Sequence, residues 1–184
     1  MALSLLSPPA VEPVSVADLK SQAAIAADDD DGDLAGKITA ARLLVERRRN
    51  LALITQTWTW SAPLPRDQAS VPLPLAPVRT GATVSVDYRS TDGATVALDT
   101  GRWRLVASDV LPRLIPATVW PAMDRRAPDA LSVAFEAGYG DAAAAVPMAL
   151  RQEILIVAAA LYARRESIEA PAAVLSGGFG SLVF

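Results

Sequence analysis

Four glutamates stand in or beside regularly patterned segments: Glu46, Glu136, Glu153 and Glu166. Two carboxylates flanking one bond can divide acid–base work between them. These four are scattered, and nothing in their spacing brings two together. The chain has no histidine and no cysteine. The commonest general base and metal ligand are therefore missing, and so is any thiolate. A Ser–His or Cys–His nucleophile cannot be built, nor a disulfide or thiolate metal site. The expectation is no enzyme, no catalytic or metal-binding residue and no cofactor.

Two charged runs invite ligand readings. Asp28-Asp29-Asp30-Asp31-Gly32-Asp33 suggests a calcium loop anchored on Gly32. Such a loop needs an acid at position 27 and a bidentate Glu at position 38, where Ala27 and Ile38 stand. The run reads instead as a solvated linker or helix start. Arg47-Arg48-Arg49, with Arg42 upstream, could meet phosphate, with the salt dependence that counterion release brings. No extended basic stripe accompanies them, so a charged helix end is the plainer reading.

Gly138-Tyr139-Gly140-Asp141 and Gly177-Gly178-Phe179-Gly180 lack the lysine of a phosphate loop. The first reads as a strand-to-helix turn and the second as a bend in a tail. Trp58 and Trp60 share one face of a strand. Core packing and an interface anchor are both open for them.

These residues need elements to hold them. The chain has 184 residues, 52% of them apolar, and a net charge of −3. That suits one domain with room for a subdomain, and carries no global basic excess of the kind nucleic-acid binders show. Met1-Ala2-Leu3-Ser4-Leu5-Leu6 lacks the basic start of a signal peptide. The longest apolar run, Ile154 to Tyr162, falls well short of a bilayer span. A soluble protein of cytoplasmic origin is expected.

Prolines 8, 9 and 13 mark residues 1–14 as an extended arm. Ser15 and Asp18 have the spacing of a capping box, which predicts a helix over 15–27. Leu34, Ile38, Ala41 and Val45 form a helical stripe that predicts a second helix over 33–50. From about 53 to 137 the period changes to two, with candidate strands at 54–60, 82–88, 94–98, 102–106 and 131–137. Asp92-Gly93 reads as a hairpin turn. Prolines 63, 65, 72, 74 and 77 exclude regular central strands between the first two candidates. One antiparallel sheet of four to six strands is expected. Pro147 opens a third helix, 147–168, whose broad apolar face carries Leu150, Ile154, Leu155, Val157, Leu161 and Tyr162. That breadth points to deep burial or to a face shared between subunits. The fold class is α+β: a helical bundle from the N- and C-terminal segments with an inserted antiparallel β subdomain. Residues 15–168 form its main domain, and 169–184 a flexible tail.

The order of these segments resembles the head–tail connector (adaptor, or head-completion) proteins of tailed phages and gene transfer agents. Val14-Ser15-Val16-Ala17-Asp18-Leu19-Lys20 is similar to their opening helix, and Ala40-Ala41-Arg42-Leu43-Leu44-Val45-Glu46 to their second. Thr57-Trp58-Thr59-Trp60 and the proline-rich Val71–Val78 resemble the inserted strand and proline segment of longer members. Phe135-Glu136-Ala137-Gly138-Tyr139-Gly140 before Val146-Pro147 resembles their strand-to-helix passage, and Ala163-Arg164-Arg165-Glu166 the close of the last helix. The likeness runs over roughly 13–168 and lies in order and spacing, with no single specific motif.

The resemblance implies a structural subunit of a homo-oligomeric ring, typically a dodecamer, under the capsid portal protein. The ring extends the DNA channel, and DNA passes without sequence-specific binding. Its far side meets the next neck or tail component. The implied location is the neck of a virion or phage-like particle assembled in the bacterial cytoplasm, with no membrane partner. The C-terminal segment of such proteins commonly docks on the portal, which here points to Phe179, Leu182, Val183 and Phe184. The alternatives are a neck or tail-completion protein binding the tail side and, from another class, a small carbohydrate-binding module or enzyme built on the β region.

Overall fold

The computed structural model describes residues 2–25, 31–63, 70–124 and 126–164. It divides into two compact units. The helical unit takes 12–49 and the chain from 146; the β unit takes the first eleven residues and 50–145.

In the helical unit, α1 (Val16–Ala23) opens on the expected capping box. The Asp18 amide donates to Ser15 Oγ at 3.1 Å, and the Ser15 amide donates to Asp18 Oδ2 at 2.8 Å. Two of the amides that a helix start leaves unpaired are thus satisfied. The helix ends at Ala24, left-handed at φ 52°, sooner than the apolar pattern suggested. Residues 26–30 lie outside the described residues.

Helix α2 (Asp31–Arg49) begins two residues before the expected Asp33. Asp31 and Asp33 occupy its first turn and Arg47, Arg48 and Arg49 its last, both placements favourable to the helix dipole. Leu34, Ile38, Ala41 and Val45 are all buried, as their spacing required. Helix α3 (Met148–Ala163) follows Pro147, whose carbonyl accepts from the Leu150 and Arg151 amides. Leu150, Ile154, Val157 and Ala158 are its buried residues. The three helices pack on one another. Burying each large aliphatic side chain contributes about 1.5–3 kcal/mol.

The β unit holds two antiparallel sheets where one was expected. The larger has the order β1-β2-β8-β4-β5, from β1 (Ala2–Ser7), β2 (Gln56–Ala62), β4 (Val84–Arg89), β5 (Thr95–Ala97) and β8 (Leu131–Ala137). The smaller is β3-β7-β6, from β3 (Val71–Pro72), β6 (Trp103–Val106) and β7 (Arg113–Pro116). Pro72 is tolerated because β3 is an edge strand of two residues. Asp92-Gly93 turns the β4–β5 hairpin, with Gly93 at φ 87° and its amide donating to the Ser90 carbonyl.

Register arranges the larger sheet in rows. Leu5, Trp58, Phe135 and Val84 lie side by side, and Leu3, Trp60, Val133 and Val86 form the next row. The row between them carries Ser4, Thr59, Ala134 and Ser85, and the row beyond carries Ala2, Ser61, Ser132 and Asp87. One face is thus apolar and the other mostly hydroxyl-bearing. Leu114, Val71 and Leu73 join Trp60, Val133 and Phe135 in one buried core that residues of both sheets line. No helix among the described residues is long and apolar enough to cross a membrane.

Candidate assembly surfaces

The described carboxylates that could do chemistry are each held in a structural pairing. Glu46 is only 7% exposed and accepts from Arg42 Nη1 at 2.8 Å. Glu136 Oε2 accepts from the Thr83 amide at 3.0 Å. Glu153 takes Arg49 Nε at 2.8 Å and also pairs with Arg48. Glu166 lies outside the described residues. Among the described residues no group of three or more acids is placed to hold a metal ion. Asp31 pairs with Lys20 at 2.5 Å, which makes this end of the acidic run part of a helix start.

The candidate phosphate cluster is likewise engaged. Arg42 is 6% exposed and donates through Nε to Glu12 Oε2 at 2.8 Å as well as to Glu46. Thr39 Oγ1 donates to the other oxygen of Glu12 at 2.9 Å. This partly buried network ties residue 12 to the middle of α2. Arg48 and Arg49 clamp Glu153 of α3, and Arg47 is exposed. Sequence spacing gave the helix-end reading for Arg47–Arg49 but no sign of the Glu12 contact.

Trp60 is buried in the β core, and Trp58 is partly buried against it. The indole N–H groups of Trp58, Trp103 and Trp120 are buried without a hydrogen-bond partner. On α3, Leu150, Ile154 and Val157 are buried while Leu155, Leu161 and Tyr162 are half-buried. The helix's exposed large apolar side chains are Met148 and Ile156, which the breadth of its apolar face did not single out. Phe179, Leu182, Val183 and Phe184 lie outside the described residues.

Contiguous exposed apolar patches mark surfaces where a partner can bury area, whereas single exposed apolar side chains are ordinary. In the β unit, Leu3, Leu5 and Leu6 of β1 are exposed, as is Val96 of β5. Val110, at 84% exposure, and Leu111 sit on the β6–β7 loop. Ser108 Oγ accepts from both of their amides, at 3.2 and 3.0 Å, so the tip is held in place.

Acid response follows from three carboxylates. The Ser15 amide and hydroxyl hold Asp18 below its ordinary value near 3.8. The Ala94 amide and the Ser90 side chain lower Asp92, and the Arg89 guanidinium lowers Asp129. A group whose folded pKa is depressed stabilises the fold above its unfolded value and loses that contribution as pH falls through the folded one. No histidine titrates in between. The thermal midpoint is therefore expected to stay flat from about pH 5.5 to 8 and to fall below about pH 4. Scanning calorimetry across that range checks it, and a step near pH 6.5 would contradict it.

No protein-family model matches the chain, and no curated protein matches it. Solved structures do. The chain is similar to one in the virion of a native gene transfer agent particle: TM-score 0.74, 24% identity, over 96% of this chain and 93% of that one. It is also similar to a chain in the neck of the native particle computed with C12 symmetry, with TM-score 0.74, 24% identity and coverage of 96% and 92%. In the neck of the empty particle, computed with C6 symmetry, the values are 0.74, 24%, 93% and 88%. The likeness is one of fold, and it runs over nearly the whole of both chains.

Proposed function

We propose that the chain is a structural subunit of the neck of a phage-like particle: a connector that forms a ring between head and tail and does no catalysis. The observation that carries this reading is the near-complete mutual coverage with a chain of a neck computed with C12 symmetry. A likeness confined to the helices would suit many bundles. This one takes in the helical and β units together. The engagement of every described candidate carboxylate in a structural pair supports the non-catalytic part of the reading.

In this proposal the ring, a dodecamer by analogy, sits under the portal protein and extends the DNA channel. Its other side receives the next neck or tail component. The helices build the ring, and α3 contributes Leu150, Ile154, Leu155, Val157, Leu161 and Tyr162 to core and subunit packing. Phe179, Leu182, Val183 and Phe184 grip the portal, where their apolar side chains leave water. Deleting residues 176–184 is expected to abolish co-sedimentation with portal rings. Undiminished binding would reject the docking role. A parallel pull-down on tail tubes separates a head-side from a tail-side connector, and electron microscopy of the purified protein tests for rings directly.

A further inference from the structure

The two edges of the larger sheet are both open among the described residues. Among the described residues no strand or bridge pairs the outer side of β1 or of β5. Natural proteins usually blunt such edges with charge, proline or a bulge, because an open edge recruits another strand. Neither edge strand here carries charge or proline: β1 reads Ala-Leu-Ser-Leu-Leu-Ser and β5 Thr-Val-Ala. Every residue of both is exposed. The one bulge lies between Leu5 and Ser7, which leaves Ala2–Leu5 regular.

Direction and facing select the partner. All four successive pairings from β1 to β5 are antiparallel, so β1 and β5 run the same way. The apolar side chains Leu3, Leu5 and Val96 also share one sheet face, since the ladder pairs them through Trp60, Trp58 and Tyr88. A second copy related by rotation about a ring axis would bring its β1 to this β5 in the same direction, with the apolar rows continuing across. That contact is head-to-tail, the type that makes a ring when the rotation between copies closes.

We infer that β1 of one copy adds to β5 of the next, joining the larger sheets of neighbouring subunits by a parallel strand pair. The occupant of each open edge is then the opposite edge of another copy of this chain. The inference rests on the ring reading and specifies one contact within it.

The chain's lack of cysteine makes the test clean. Ser4, Thr95 and Ala97 lie on the hydroxyl-bearing face. The full chain carrying Ser4→Cys with Thr95→Cys, or Ser4→Cys with Ala97→Cys to cover the register, is oxidised gently and run on a denaturing gel. A ladder beyond the dimer, absent from each single variant, is expected. Val96→Lys is expected to shift the assembled species to monomer with unchanged circular dichroism. Rings that form without any ladder in either double variant would overturn the edge pairing and leave the ring reading standing. Monomers at every concentration without a ladder would overturn both. Dimers already formed by Ser4→Cys alone, with nothing larger in the double variants, would show β1 meeting β1 and overturn the inference.

Discussion

Gly138→Ala is expected to remove a large share of the β unit's stability. Gly138 holds φ 144°, a conformation that side chains rarely adopt. A Cβ there would stand 2.5 Å from the Thr55 amide nitrogen, 2.6 Å from its Cα and 2.7 Å from the Ile54 carbonyl carbon. All three are backbone atoms, so no rotamer change relieves the contact. Backbone strain of this kind costs about 1–3 kcal/mol, and overpacking a filled site a further 1–3 kcal/mol or so. The surrounding hydrogen bonds resist relaxation: the Gly138 amide donates to the Pro77 carbonyl at 2.9 Å, and the Tyr139 amide to the Leu53 carbonyl at 3.0 Å. A loss of about 3 kcal/mol or more in urea unfolding is expected, against a typical total of about 5–15 kcal/mol. A change below about 1 kcal/mol would mean the segment yields freely.

The second large effect belongs to the buried ion pair in the helical unit. Arg42→Met leaves Glu46 buried without its arginine and Glu12 without a cation. Breaking a buried pair from one side costs about 3–5 kcal/mol, because the remaining charge stays desolvated and loses the attraction that offset it. Replacing both partners by apolar residues can be close to neutral. The Arg42→Met/Glu46→Leu double variant is therefore expected to recover much of what Arg42→Met loses. A double-mutant cycle from denaturant midpoints measures the coupling. Additive losses would show that the two side chains do not act as a pair.

The sequence revealed features whose cause is local. The Ser15–Asp18 box, the four-three-four stripe of α2, the Asp92-Gly93 turn and the alternation of Leu131–Ala137 all follow from neighbours a few residues apart. The features it hid depend on partners far along the chain. Ala2–Ser7 read as part of an extended arm because its pairing partner, Gln56–Ala62, lies across two helices. Gly138 read as a turn because the backbone it presses on belongs to Ile54 and Thr55. Arg42 read as a possible phosphate ligand because Glu12 stands 30 residues away. The second sheet was missed for another reason: its strands are two to four residues long, and proline occurs in two of them. The candidate assembly surfaces were the least legible, since Val110, Met148 and Ile156 differ from core residues only in what fails to cover them.

The bridge between Ile54 and Gly140 has a consequence for how this chain can vary. The Thr55 amide donates to the Gly140 carbonyl at 3.0 Å, so the chain leaves for β2 and returns after β8 through one narrow doorway. Whatever is threaded between those two posts starts and finishes at the same spot. Lengthening or trimming that excursion adds only a slowly growing closure entropy and leaves the gateposts where they are. Residues 55–139 thus form one excursion whose two ends meet, and among its described strands only the first is tied to the chain's start, through β1.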